Sequence, residues 1–302
     1  MTKKRAFLLL VFIVGFFLVR PLCAEKISLK FSFSMNSYTE GDLEEWVRSL
    51  NSLWQDFSTL NPGSVTGEFI APSYGSNLEV ELRIPIYKGF GLNLSGSRLS
   101  GSEEGEVVYI RDAANQEQNQ YIMNDVRALN LKIGLSYRAE MPFLPGLHVF
   151  ANVGRILTFT KYDVQDNWQS ILRLSGMEFL NAYEKENSYS SDGLGFYAGL
   201  GFEYDLVKYV ALVVEVEKAW SKTDGYKGSH YFKIFTDSDT LLLEEGTATL
   251  FYYESTQFAL PEYYPILNGQ LERPEGETFQ NIRHGELNFS RFSVKLGVRF
   301  KF

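Results

Sequence analysis

Hydrophobic and polar residues alternate with a period of two in eight segments of this chain. In the last segment, even positions from Phe292 to Phe302 are apolar, and odd positions carry polar or small residues. The other seven lie at about 27–35, 78–86, 90–94, 129–137, 147–153, 194–204 and 210–216. Because successive side chains of a strand point to opposite faces, this pattern predicts eight strands, each with one apolar and one polar face. Arg155 breaks the alternation after the fifth segment and suggests a bulge.

The connections between these segments alternate in length. Those after strands two, four and six are short turns, whereas the others span about 37–77, 101–125, 161–192 and 221–288. Short turns on one side, long loops on the other and an even number of strands are typical of outer-membrane barrels. The sequence therefore predicts one all-β domain over residues 25–302, a transmembrane antiparallel up-and-down β-barrel with both termini on the periplasmic side.

The number of strands depends on the fourth loop. Ten strands would form if Thr240 to Glu254 inserted into the membrane as a hairpin. Leu241, Leu242 and Leu243 do not alternate with polar residues, and each arm would be shorter than the ~9 to 11 residues that a membrane strand needs. We therefore expect eight strands, with Thr240 to Glu254 forming a ribbon above the membrane that turns at Glu244 to Gly246.

The chain ends in the order polar, any, Gly, any, any, aromatic, any, aromatic. These positions are Lys295, Gly297, Phe300 and Phe302, and Phe302 is the last residue. This order resembles the C-terminal signal by which the barrel-assembly machinery recognises outer-membrane proteins. The resemblance implies that the machinery is a partner during biogenesis and that the domain is similar to the porin-like and adhesin-like barrels of the outer membrane.

The N-terminal segment is typical of a signal peptide. Lys3, Lys4 and Arg5 precede an apolar stretch from Ala6 to Val19, and Ala24 offers a small residue at a cleavage site. Residues 1–24 are therefore predicted to be removed on export to the outer membrane. An alternative, acylation of Cys23, lacks the small residues that usually precede such a cysteine.

Cleavage after Ala24 changes the composition of the chain. The only cysteine is lost, and Lys+Arg falls from 29 to 25 against 37 Asp+Glu, a net charge of 25 − 37 = −12. Without thiols the mature chain cannot perform thiol redox chemistry. The acidic balance argues against nucleic acid as a partner.

The first long loop contains a predicted amphipathic helix between Gly41 and Pro62. Asp42 and Glu45 are spaced to cap its N-terminus, and apolar residues recur every three or four positions. The apolar face consists of Leu43, Trp46, Val47, Leu50, Leu53, Trp54 and Phe57. This face is expected to pack over the barrel mouth or against other loops; burial in the lipopolysaccharide and lipid interface is the alternative.

The polar faces of the strands place many charges inside the predicted barrel. These are Lys30, Glu79, Glu81, Arg83, Lys132, Arg138, Glu203, Glu215, Glu217, Lys295 and Arg299. Eight strands enclose a bore that side chains just fill, so we expect a buried network of mutually paired charges. A water-filled channel along the axis is the alternative.

The fourth loop is acidic and rich in aromatic residues, including Tyr252, Tyr253, Tyr263 and Tyr264. It could bind a surface ligand or form a self-packed cap. His148, His230 and His284 show no spacing typical of a catalytic or zinc site, so we predict no enzyme, cofactor or metal. The sequence thus predicts a structural, surface-binding or adhesive protein acting through its extracellular loops; a narrow porin-like channel for small solutes is the alternative.

Overall fold

The computed structural model describes residues 26–38, 41–72, 74–174, 177–237, 239–256 and 262–302. The predicted signal peptide lies outside this part of the chain. The helix is α1 (Asp42–Leu60), and a short 3-10 helix spans Asp112–Ala114. The strands are β1 (Ser28–Tyr38), β2 (Ser64–Glu68), β3 (Tyr74–Tyr87), β4 (Phe90–Arg111), β5 (Gln116–Glu140), β6 (Leu147–Leu174), β7 (Met177–Val207), β8 (Val210–Thr223), β9 (Lys227–Thr236), β10 (Thr240–Thr256), β11 (Tyr263–Gln270), β12 (Phe279–His284), β13 (Leu287–Asn288) and β14 (Arg291–Lys301).

Eight of these strands form a closed antiparallel ring. Its order is β1, β3, β4, β5, β6, β7, β8 and β14, and β14 pairs back onto β1. Following paired residues once around the ring from Ser28 leads to Tyr38, a stagger of ten residues along β1 (38 − 28 = 10). The predicted eight-stranded up-and-down barrel is therefore confirmed, with strands tilted by roughly 40°.

The barrel has two different ends. At the turn end, short connections join β3 to β4, β5 to β6 and β7 to β8. At the loop end, β4 to β7 continue far beyond the other four strands, reaching 31 residues in β7. Residues 101–125 and 161–192 were predicted to be loops, but most of them are strand. β4 and β5 are connected through residues 112–115, and β6 and β7 stay paired up to Leu174 and Met177. The outward face of these segments is not apolar, so the pattern used to find membrane strands is absent there.

Arg155 does not cause a bulge, contrary to the sequence prediction. The pairing of β6 with β5 and β7 is uninterrupted from Leu147 to Leu172, and Arg155 lies at an ordinary outward position. Irregular pairing occurs instead beside two short turns, between Pro85 and Tyr87 and between Asp205 and Val207. A charged residue on the outward face interrupts the apolar pattern without shifting the register.

The fourth loop folds as an extension of the sheet outside the ring. β9 pairs with the upper part of β7, β10 pairs with β9, and β11 and β12 flank β10. β10 is one strand, so the predicted turn at Glu244 to Gly246 is wrong; the chain reverses after Thr236 instead. Ten strands do not form in the wall, because β9 and β10 lie outside the ring of eight.

Helix α1 lies within the structure that rises above the loop end. Trp46, Val47 and Trp54 are buried in one hydrophobic cluster with strand residues such as Tyr109 and Tyr189. The predicted capping by Asp42 does not occur, since Gly41 is the N-cap residue and has no side-chain cap. The carboxylate of Asp42 instead binds the guanidinium of Arg283 on β12, at 2.5 and 2.6 Å. We call α1, β2, β9 to β13 and segments 101–125 and 161–192 the cap.

Among the described residues, no helix is both long enough and apolar enough to cross a lipid bilayer.

Candidate functional site

The barrel interior contains a continuous network of ion pairs. Lys30 Nζ lies 2.8 Å from Glu81 and 2.6 Å from Glu215, and Lys132 Nζ lies 2.5 Å from Glu79. Lys132 and Lys295 share Glu217, each at 2.6 Å. These side chains are almost completely buried, so each charge depends on its partners rather than on water.

The network continues towards the turn end of the barrel. Arg299 binds Glu81 at 2.9 Å and Glu203 at 3.3 Å, and Arg138 binds the same Glu203 at 2.8 Å. Lys301 also contacts Glu203, at 2.9 Å. All eleven predicted interior charges thus point into the barrel, and ten belong to these ion pairs. The other, Arg83, donates to Ser136 Oγ and to the carbonyl oxygen of Gly89.

Sequence reasoning missed other parts of the network. Arg291 is completely buried, and its guanidinium lies 3.7 Å from Glu217. Asn152 donates to Glu215 at 3.1 Å, and Lys301 pairs with Asp205. Arg291 lies just before the residues of the last strand in which apolar and polar residues alternate clearly. Only its odd number, which matches those of the inward residues Lys295 and Arg299, could have shown that it faces inward.

Three interior carboxylates lie close enough together to suggest a cation site. Oxygens of Glu79, Glu81 and Glu215 are within 4.8 Å of one another. The ammonium group of Lys30 lies within 3.7 Å of all three. The cation that this group of carboxylates holds is therefore a lysine of the chain itself.

The outward face of the ring is apolar and exposed. Phe31, Phe33, Val80, Leu131, Leu200 and Leu296 illustrate the pattern, with Phe31 47% and Leu200 65% exposed. Charges inside and apolar side chains outside invert the distribution of a water-soluble protein. Together with closure of the ring, this inversion is what a bilayer requires. The chain is a β-barrel of the outer-membrane type.

The chain is distantly similar to several proteins of solved structure. No protein-family model matches the chain, and no curated protein matches it. The chain is similar to the crystal structure of outer membrane protein OprG from Pseudomonas aeruginosa, with 11% identity over 92% of this chain and 96% of that one, and a TM-score of 0.40. It is also similar to a major outer membrane protein from Thermus thermophilus, with 10% identity over 91% and 99% and a TM-score of 0.32. Acinetobacter baumannii CarO shares 16% identity over 80% and 96%, with a TM-score of 0.25.

The four residues of the predicted assembly signal lie on β14 or directly after it. Lys295 belongs to the interior network, whereas Phe300 and Phe302 face outward at the turn end. A Cβ added at Gly297 would lie 2.5 Å from the carbonyl oxygen of Phe31, so glycine permits close pairing with β1. The backbone N–H of Phe302 donates to the carbonyl oxygen of Ile27 and completes the seam between the chain ends.

A second site lies in the cap. A cavity of about 400 Å³ opens between α1 and the extended strands. We call it the aromatic cavity, because its lining includes Trp46, Leu50, Leu53, Trp54, Trp168, Tyr183, Phe232, Tyr253, Tyr264, Ile266 and Leu267. Four of the seven residues of the predicted helix face therefore line this cavity, and Leu43, Val47 and Phe57 pack in the adjacent hydrophobic cluster.

Polar groups lie on one side of the aromatic cavity. Asp166 and Lys185 are directly opposite each other on β6 and β7. Asp166 accepts from Gln120 Nε2 at 2.8 Å and from the Tyr183 hydroxyl at 3.1 Å, whereas Lys185 donates to Asn268. The carboxylate and the ammonium therefore face the same space without forming a direct ion pair.

Burial perturbs both charged groups. It raises the pKa of the Asp166 carboxyl above its ordinary value, although Lys185, Gln120 and Tyr183 oppose this shift. It lowers the pKa of Lys185, while the charge of Asp166 acts in the opposite direction. Two charged groups that are costly to bury and do not pair directly are typical of a binding site.

One further group supports this view. The indole Nε1 of Trp168 is buried and has no hydrogen-bond partner among the described residues. The Trp168 ring stacks on Tyr183, with ring centres 5.8 Å apart. Sequence reasoning missed Asp166, Trp168 and Lys185, because they lie in a segment predicted to be a loop. The only sequence feature that could have revealed Asp166 and Trp168 is that both occupy even positions, which face inward along β6.

Proposed function

We propose that this barrel is a surface-binding protein whose aromatic cavity takes a small extracellular ligand. The observation that carries the proposal is the combination of stacked aromatic rings with Asp166 and Lys185, two charged groups that face each other without pairing. Cavities of this size lined by apolar rings and a few polar groups are the usual form of a small-molecule site. The barrel then serves as a membrane anchor for the cap.

The chemistry of the lining indicates the class of ligand. Trp168, Tyr183 and Phe232 offer flat apolar surfaces, with Tyr183 and Phe232 ring centres 5.7 Å apart. Asp166 can accept hydrogen bonds, while Lys185 and the indole N–H of Trp168 can donate them. A ligand with one flat apolar face and several hydroxyl groups, such as a sugar ring, satisfies all of these groups.

Titration with a panel of mono- and oligosaccharides tests the proposal. Trp46, Trp54 and Trp168 line the cavity, so binding should change the intrinsic tryptophan fluorescence of the purified protein in detergent micelles. Asp166→Asn and Lys185→Met should each weaken binding by about 10- to 100-fold, because a charge-assisted hydrogen bond contributes roughly 1.5–3 kcal/mol. The matched control is Glu186→Gln, an exposed residue next to Lys185. Equal effects of the control and the two site variants would reject the proposal.

The lumen supports anchoring rather than conduction. Ion pairs between Lys30, Lys132, Lys295 and their carboxylates cross the bore at several levels, and these side chains are almost fully buried. Movement of a solute through the bore would have to separate such pairs, and breaking a buried pair is strongly unfavourable. Planar-bilayer recording tests the alternative: stepwise conductance by the purified barrel would favour a narrow channel.

We also propose that the protein is not an enzyme. His230, the histidine nearest the aromatic cavity, bonds Asn187 at 2.7 Å, and burial lowers its pKa. A histidine that acts as a catalytic base usually has a carboxylate partner. Among the described residues, no carboxylate lies within ion-pair distance of His230. Turnover of a bound saccharide, measured by product analysis, would contradict this assignment.

A further inference from the structure

Three basic side chains lie on the outward face of the barrel within its apolar belt. They are Arg98 on β4, Arg155 on β6 and Lys218 on β8. In the described part of the chain, none of these three side chains forms an ion pair. Among the same residues, no acidic side chain faces outward on a wall strand between the short turns and the height of Asp192 on β7. Charges that face lipid are costly. These cations therefore require an anion from outside the chain.

The position of the cations indicates which leaflet supplies that anion. Counting outward residues of β6 from the turn end, Leu147, Val149, Ala151 and Val153 precede Arg155. Four outward residues also precede Lys218 on β8, namely Val210, Leu212, Val214 and Val216, and four precede Arg98 on β4, namely Phe90, Leu92, Leu94 and Gly96. All three cations thus lie in the half of the belt nearer the loop end. Long basic side chains at this depth extend towards the nearer headgroups.

Arg155 and Lys218 belong to one surface of three neighbouring strands. Arg155 is paired with Phe196 on β7, which is paired with Trp220 on β8. Lys218 is paired with the small Ala198, two residues from Phe196. Two strand spacings, about 10 Å, separate β6 from β8. Because the strands tilt, the two cations lie at similar depth on either side of a shallow depression at Ala198.

The rings on this surface favour a bound amphiphile. The guanidinium of Arg155 lies 3.8 Å from the centre of the Phe196 ring, which holds it flat against the barrel. Phe196 is 51% exposed and Trp220 is 49% exposed. Tryptophan is typical of the level at which lipid headgroups begin. Acyl chains can therefore pack against these rings while phosphate groups meet the cations.

We propose that Arg155, Lys218, Phe196 and Trp220 form a binding site for an outer-leaflet glycolipid that carries two phosphates, namely lipopolysaccharide. Arginine binds phosphate through two parallel hydrogen bonds, and lysine binds it as a point charge. A lipid with two phosphates can engage both cations at once. A phospholipid with one phosphate can satisfy only one of them. The site is separate from the aromatic cavity and does not depend on its function.

Native mass spectrometry of the full-length protein in detergent tests this site, with bisphosphorylated lipid A as the probe. The double variant Arg155→Gln/Lys218→Gln should bind lipid A at least about tenfold more weakly than the wild type. The matched control is Arg127→Gln/Lys161→Gln. Arg127 lies just below the cap and Lys161 is its first residue on β6, and the two cations already pair with Asp125 and Asp163, so the control should keep wild-type affinity.

Two comparisons keep the test decisive if the neutral double variant fails to fold. The charge-retaining variant Arg155→Lys/Lys218→Arg should still bind lipid A. Monophosphorylated lipid A should bind the wild type about tenfold more weakly than the bisphosphorylated form. Equal binding of the two lipids, equal loss in the Arg127 and Lys161 control, or unchanged binding after neutralisation would each overturn the proposal.

Discussion

Replacing Lys30 should reveal how strongly the interior network stabilises the barrel. Lys30 is 1% exposed, and its ammonium contacts Glu81 at 2.8 Å and Glu215 at 2.6 Å. In Lys30→Met, Glu81 keeps Arg299, but the nearest remaining cation to Glu215 is Lys295 at 4.0 Å. Glu215 would then keep only the hydrogen bond from Asn152 and this more distant lysine. Loss of its closest cation from a buried carboxylate should lower the free energy of unfolding by about 3–5 kcal/mol.

A second substitution distinguishes charge from packing. Glu215→Gln in the Lys30→Met background removes the carboxylate that has lost its closest cation, so the double variant should lose at least ~2 kcal/mol less than the sum of the two single losses. Urea unfolding in micelles, followed by tryptophan fluorescence and by the heat-dependent gel shift, measures these differences. The matched control is Lys208→Met, an exposed lysine in a short turn. A Lys30→Met loss below about 1 kcal/mol, or additive losses in the double variant, would refute the reasoning.

Three further predictions concern assembly and the cap. Deleting Phe302 removes the hydrogen bond to Ile27, so pulse-chase analysis should show slower appearance of the heat-modifiable barrel than in the wild type; unchanged kinetics would count against the C-terminal signal. Because burial raises the pKa of Asp166 in the folded state, the stability of the cap should fall as pH rises from the ordinary titration range of aspartate through this raised pKa. Asp166→Asn should flatten that slope in thermal melts, and an unchanged slope would assign it to another group. Arg283→Met should weaken the attachment of α1 through Asp42 by about 1 kcal/mol, because Arg283 is partly exposed, and limited proteolysis should cut α1 faster; unchanged cleavage would show that packing alone holds α1.

The membrane part of the fold could be predicted from the sequence because lipid imposes a strict pattern. The wall strands carry mostly apolar residues outward and mostly polar residues inward where they cross the bilayer, and the last strand from Phe292 to Phe302 shows this most clearly. The same alternation predicts that Lys30, Glu79 and Glu217 face inward, and in the structure they form ion pairs inside the barrel. Their exact partners depend on the stagger of the ring, which no local pattern encodes.

The cap could not be predicted in the same way. Above the membrane the outward face of β4 to β7 meets water, so apolar alternation stops although the strands continue. Inward residues such as Gln120, Asp166 and Trp168 then resemble ordinary loop residues. The helix was found because its spacing is local, whereas the aromatic cavity depends on contacts between α1 and β11 that are distant in sequence.

The seam between β1 and β14 determines when the barrel can close during assembly. The two strands pair along eleven positions, from Ser28 with Lys301 to Tyr38 with Arg291. One edge of β1 therefore has no partner until β14, which lies far along the sequence, pairs with it. An unpaired strand edge can join other chains, so a partly folded barrel is exposed to mispairing at this edge. Closure of the ring thus removes the edge at which the chain would otherwise associate with its neighbours.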